Sequence, residues 1–196
     1  LSNKQRILTA ASELLLEKGL EGLSVRAISQ RAGLSTIAIY SHFQGKQGVL
    51  DELYVEGFAL VRDAVLSVAD IADPVAAALA GGRNYLTIAH QNEGHYRLIF
   101  GETGHSYTPS PEATAAAREA FEALVAAVTR LLPATASQAQ RQRAALRLWA
   151  VLHGYVSLRH HVIGEVLDYR QWQDMALEAM GRSVEDMVRD GGAEHT

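Results

Sequence analysis

Apolar positions recur at three- and four-residue intervals along almost the whole chain, and nowhere do they alternate long enough to make a strand. The first stripe, Ile7, Ala10, Ala11, Leu14 and Leu15, predicts a helix over Ser2–Lys18. Ser2 and Gln5 have the spacing of a capping box, and Gly19 supplies a left-handed stop. A short second helix follows Ser24, with Val25, Ile28 and Ala32 inward, Gly33 in the turn and Leu34 plugging the junction. Ser35 caps a third helix, Thr36 to His42, with Ile39 and the adjoining Phe43 toward the core. Val49, Leu50, Leu53, Val61, Ala64, Val65 and Val68 mark a long fourth helix from Lys46 to about Asp70.

The later helices are announced mainly by their caps. Asp73-Pro74 starts one that carries Val75, Leu79, Tyr85, Leu86 and Ile88 and crosses Gly81-Gly82. His95–Phe100 reads as a short helix, and Gly101–Pro111 as a turn-rich flap. Ser110-Pro111 opens a helix through Phe121, Leu124 and Val128 that ends before Pro133. Ser137 and Gln140 box the start of another, running to about Ile163. Asp168 and Gln171 do the same for the last, with Trp172, Met175, Met180 and Met187. The expectation is an all-α protein of about nine helices, divided into residues 1–46, 47–190 and a flexible tail at 191–196. Gly57 in the fourth helix and Gly81-Gly82 in the fifth are open to two readings, close packing or a hinge.

The second and third helices are joined by so short a turn that they must cross steeply, the geometry of a DNA-binding helix-turn-helix. The third helix would enter the major groove. Ser24 and Ser35 place helix N-termini where phosphate oxygens could be bound, with Arg26, Tyr40, His42 and Lys46 as further donors. Thr36, Ile37, Ala38 and Ser41 are placed for base edges, and Ile37 or Ala38 could touch a thymine methyl. Lys46, a cation at a helix start, opposes the helix dipole unless an anion sits beside it.

The net charge of −4 conceals an asymmetry. Residues 1–46 hold six basic and three acidic side chains, a net of +3, and the remainder holds 12 and 19, a net of −7. A small basic module on an acidic body is what a DNA reader fused to a non-DNA domain would show. There are no cysteines, no apolar run of membrane-spanning length and no signal-peptide pattern at the start, so a cytoplasmic location is expected. No H-E-x-x-H, G-x-S-x-G or phosphate-binding glycine loop is present, and His160-His161 point to different helix faces. No catalytic residues, metal or cofactor are therefore expected.

The segment GLSTIAIYSHFQGKQGVL closely resembles the end of the DNA-binding domain in TetR-family transcriptional regulators. The family's turn glycine, serine, aromatic, aromatic pair and helix-opening lysine correspond to Gly33, Ser35, Tyr40, His42-Phe43 and Lys46. Ser29 stands where alanine is frequent, and Gln47 where glutamate is. Trp149 with His153-Gly154 also resembles the C-terminal domain of one TetR subgroup. The resemblance implies a ligand-responsive regulator, most simply a repressor that binds a near-palindromic operator on double-stranded DNA. It implies a homodimer through the last two long helices, whose Val151, Val156, Leu158, Val162, Met180 and Met187 exceed what one small body needs to cover. It also implies a small-molecule effector pocket, for which Tyr85, His90, Tyr96, Phe100, Phe121, Trp149 and His153 are the candidate lining, favouring an apolar or aromatic effector. The alternative is a fold of this type acting as a protein-interaction adaptor or coactivator.

Overall fold

Side-chain caps set where most of the helices begin. The computed structural model describes residues 1–100, 107–160 and 166–193. Among these are nine α-helices and no strand: α1 (Asn3–Lys18), α2 (Val25–Ala32), α3 (Thr36–Phe43), α4 (Lys46–Leu66), α5 (Pro74–Gln91), α6 (Glu93–Ile99), α7 (Pro111–Thr129), α8 (Gln138–Arg159) and α9 (Tyr169–Ala193). The Ser2–Gln5 and Ser137–Gln140 capping boxes both form. Asp168 and Gln171 exchange side-chain and backbone bonds at 3.0 and 2.9 Å. Asp73 accepts from the Val75 amide at 3.0 Å, and Ser110 Oγ from the Ala113 amide at 3.1 Å. Each bond satisfies a helix donor that would otherwise have no partner.

Residues 1–60 and 92–118 form one compact unit. Its core joins Ile7, Ala11, Leu14 and Leu15 of α1 to Ile28 of α2, Ile39 and Phe43 of α3, Val49, Leu50 and Leu53 of α4, and Leu98 of α6. Among the larger of these side chains, Ile7, Leu15, Ile28, Ile39, Val49 and Leu53 have under 2% of their surface exposed. Burying one aliphatic side chain of this size contributes roughly 1.5–3 kcal/mol. On the outside, Arg31 of α2 reaches Glu13 and Glu17 of α1 at 3.1 and 2.7 Å. Its hydrogen bond holds the Glu17 carboxyl below its usual range, and the carboxylates raise the guanidinium in turn.

The second compact unit comprises residues 61–91 and 119–196. Here α8 packs along α9, and α5 packs on both. Ala145, Leu148 and Leu152 of α8 and Ala176, Met180 and Val184 of α9 are buried. Arg130, just past α7, donates to the carbonyls of Ala69, Ile71 and Ala72. Those bonds hold a turn where periodicity had extended the fourth helix to Asp70; α4 stops at Leu66 instead. No described helix is long and apolar enough to cross a membrane.

The first compact unit does not close at residue 46, because α4 continues its core through Leu53 and α6 adds Leu98 from far along the chain. The division falls inside α4 and inside α7. Residues 191–193 of the tail expected at 191–196 belong to α9, which continues through Ala193; residues 194–196 lie outside the described residues. So do most of the flap at Gly101–Pro111 and the expected end of the eighth helix, with Val162. Both glycine ambiguities fall on the side of close packing. A Cβ at Gly57 would lie 2.7 Å from Ile99 Cγ2, and α5 runs unbroken through Gly81-Gly82 with Gly82 against the Met180 sulfur.

Helices α6 and α1 approach closely in the first unit. A Cβ on Gly94 would lie 2.6 Å from Ser12 Oγ and 2.7 Å from the Ser12 carbonyl oxygen. Beside it His95 bridges the same two helices and α4, with Nδ1 3.4 Å from Ser12 Oγ and Nε2 3.3 Å from Glu56. Backbone cannot yield as a side chain does, so Gly94→Ala is expected to destabilise the protein by about 1–3 kcal/mol. Urea unfolding measures it; a change under about 0.5 kcal/mol would show that α6 can shift away from α1 without cost.

Candidate nucleic-acid interface

The α2–α3 turn is built from backbone outward. Gly33 takes a left-handed conformation with φ 64°, and its amide bonds back to the end of α2. The Leu34 amide donates to the Ser29 carbonyl at 3.0 Å. Arg6 reaches across from α1 and donates to the Ala32 and Gly33 carbonyls at 2.7 and 3.3 Å, satisfying acceptors at the end of α2. Ser29, in place of the more frequent alanine, is buried without cost because its hydroxyl donates to the Arg26 carbonyl at 2.9 Å. Ser35 then caps α3 by accepting from the Ala38 amide at 3.4 Å. At the other end Gln44 is left-handed, with φ 60°, and hands the chain to α4.

With the turn fixed, α3 buries one edge and offers the other. Ile39 and Phe43 are 0% and 5% exposed. Of the other residues Thr36, Ile37, Tyr40, Ser41 and His42 are exposed, Ile37 at 76% and Tyr40 at 58%, while Ala38 is half-buried. Seven of the ten candidate DNA-contacting residues therefore share one helix and its cap, and the structure gathers them on one surface. Ser24 and Arg26 are exposed at the start of α2, and Ser24 Oγ is engaged by the Ala27 amide at 3.1 Å. Lys46 stands differently from expectation. Its ammonium is half-buried and donates to the Leu20 carbonyl at 3.0 Å, so an acceptor inside the chain offsets the unfavourable helix dipole.

The positive charge of this region is similarly engaged. Lys4 pairs with Glu52 at 2.7 Å, Arg31 with two glutamates, and Arg6 with carbonyls. Among the described residues Arg26 has no ion pair or side-chain hydrogen bond. Net charge had located the module correctly but overstated how many cations are at liberty to meet phosphate.

Residues 7–53 match the family model described as "Bacterial regulatory proteins, tetR family", and residues 78–180 match "Tetracyclin repressor-like, C-terminal domain". The second match alone spans just over half of the chain. The chain belongs to the TetR family. Tetracycline repressor protein class D of Escherichia coli is 37% identical over 67 residues, covering 34% of this chain and 31% of that protein. The HTH-type transcriptional activator FasR of Mycolicibacterium smegmatis is 32% identical over 135 residues, covering 65% of this chain and 57% of FasR. The chain thus matches under two thirds of the length of these curated relatives. In three dimensions it resembles the TetR-family regulator PfmR of Thermus thermophilus, with TM-score 0.73, 21% identity and coverage of 94% and 96%. It equally resembles a Rhodococcus sp. RHA1 protein of unknown function, with TM-score 0.73, 22% identity and coverage of 93% and 95%. These two likenesses establish the TetR fold.

The seven candidate effector residues of this TetR-family chain divide into three groups. Tyr85, Phe121, Trp149 and His153 cluster in the second unit: Trp149 Nε1 donates to the Tyr85 hydroxyl at 3.3 Å, with Phe121 and His153 rings 6.2 and 6.4 Å from Trp149. His90 belongs to the same unit but to another group, stacked 4.0 Å from Tyr169 and 2.9 Å from an Arg159 nitrogen. Leu86, His90, Tyr155, Arg159, Tyr169 and Trp172 help line a small solvent-open cleft there. Sequence reasoning missed Arg159 and Tyr169, since no local spacing links α5 to the start of α9. Tyr96 and Phe100 lie in the first unit, ring to ring at 4.5 Å, with Phe58 beside Phe100 at 5.8 Å. They serve its packing. Among the described residues no group of three or more metal-ligating side chains is found.

Tyr40 separates interface from core most cleanly. Its ring is over half exposed, and among the described residues its hydroxyl makes no hydrogen bond. Tyr40→Phe is expected to leave unfolding free energy within about 0.5 kcal/mol and to weaken duplex binding. Loss of stability matching the loss of binding would make Tyr40 structural.

Proposed function

We propose that this protein is a ligand-responsive transcriptional repressor that binds a near-palindromic operator as a homodimer and releases it when a small apolar or aromatic effector binds. The observation that carries the reading is the two-sided character of α3: Ile39 and Phe43 buried on one edge, and an exposed set of hydroxyl, aromatic and apolar side chains on the other. A helix so held can lie in a major groove while its capped start and that of α2 meet phosphates. The operator-binding module comprises α1 to α3, and its action takes place in the cytoplasm, where its DNA target would be.

Dimerisation is assigned to α8 and α9. Leu146 and Leu158 on α8 and Met175 and Val188 on α9 are 44–49% exposed, apolar side chains that a second copy would cover. A Cβ built on Gly154 meets no described atom within 4 Å, which leaves room for a second helix to approach. The effector is assigned to the Tyr85, Phe121, Trp149 and His153 cluster, four rings that offer one hydroxyl, one indole N–H and one imidazole. Release requires the effector to favour the non-binding conformation by a few kcal/mol. The repressor names among the relatives support the sign of regulation, although FasR is named an activator.

Selection of bound duplexes from a random pool tests the reading. The expected result is enrichment of an inverted repeat, its half-sites separated by about one helical turn or a multiple of it. Recovery of no sequence above background would overturn DNA reading and favour the adaptor role.

A further inference from the structure

The crest of α3 is chemically narrower than its polar composition implies. Ile37 and Ser41 lie one turn apart, opposite the edge that buries Ile39 and Phe43, so they project furthest from the core. Ile37 is 76% exposed. Ser41 donates its hydroxyl proton back to the Ala38 carbonyl at 3.0 Å, committing its donor to its own helix. Ala38, the other small apolar candidate, is half-buried, and Thr36, Tyr40 and His42 stand on the flanks. The helix reads TIAIYSHF, with no arginine, lysine, asparagine or glutamine. It therefore lacks the side chains that make paired hydrogen bonds to guanine or adenine in the major groove. What the crest offers is a branched hydrocarbon. On a base pair's major-groove edge, the apolar counterpart is the C5 methyl group of a pyrimidine.

We propose that Ile37 is the specificity-determining residue of this helix and reads a pyrimidine C5 methyl in each half-site by apolar contact. The inference rests on the DNA-reading function proposed above and names the chemistry that function recognises. It follows that thymine is distinguished from uracil at that position, and 5-methylcytosine from cytosine, because in each pair only the methyl differs.

A protein–duplex cycle tests it, using the full chain and the enriched duplex. Each thymine of one half-site is replaced in turn by uracil, and wild-type protein is compared with Ile37→Ala. At one position, uracil is expected to weaken wild-type binding about fourfold, the value of one buried methyl group. Replacing that pair with a cytosine–guanine pair, then methylating the cytosine at C5, is expected to strengthen wild-type binding by a similar factor. With Ile37→Ala, both methyl effects should disappear, while the unfolding midpoint stays unchanged because the side chain is exposed. Uracil without effect at every position would overturn the proposal, as would a methyl effect of equal size in Ile37→Ala. Those outcomes leave DNA binding intact. Failure to enrich any duplex would remove the function itself, and this proposal with it.

Discussion

Burial of Ile39 and Phe43 beneath α3 is the constraint on which the rest of the first unit depends. A helix of eight residues has too few internal hydrogen bonds to be stable alone. It persists because those two side chains enter a core already formed by α1, α2 and α4. The same burial fixes the rotation of α3, and so decides which residues face outward. What α3 presents is thus a consequence of packing: Thr36, Ile37, Tyr40 and Ser41 are exposed because Ile39 and Phe43 are not.

Polar interactions refine this placement without supplying most of its energy. Arg6 closes the end of α2, Lys46 ties the start of α4 to the turn after α1, and Arg31 binds α1 to α2. The ion pairs on this surface are individually weak and screened by salt. Their collective consequence is electrostatic. With the carbonyl bonds of Arg6 and Lys46 they engage four of the six basic side chains in residues 1–46, so that helix N-termini, hydroxyls, Lys18 and Arg26 are what remains to meet an anion.

The helix-turn-helix was legible because each of its parts has a local cause: Ser24 and Ser35 as caps, Gly33 as a left-handed turn, and apolar residues at helical spacing. The same holds for the later helix starts at Asp73, Ser137 and Asp168. Less legible was whatever depends on partners distant in sequence. The contribution of Leu98 to the first core, the stop of α4 at Leu66 under Arg130, and the Leu20 partner of Lys46 have no local signature. Tyr96 resembled a pocket residue by type but packs with Phe100 in the first unit, while Arg159 and Tyr169 meet His90 from α8 and α9. Residue type announces what a side chain can do, and only the fold decides what it meets.

The central claim is that the exposed edge of α3 is the surface DNA covers. Oxidative footprinting of the protein, alone and saturated with its selected duplex, measures that surface residue by residue. Ile37, Tyr40 and His42 are expected to lose reactivity on binding, while Ile39 and Phe43, already shielded, do not change. Unaltered reactivity at Ile37 and Tyr40 in the saturated complex would contradict it.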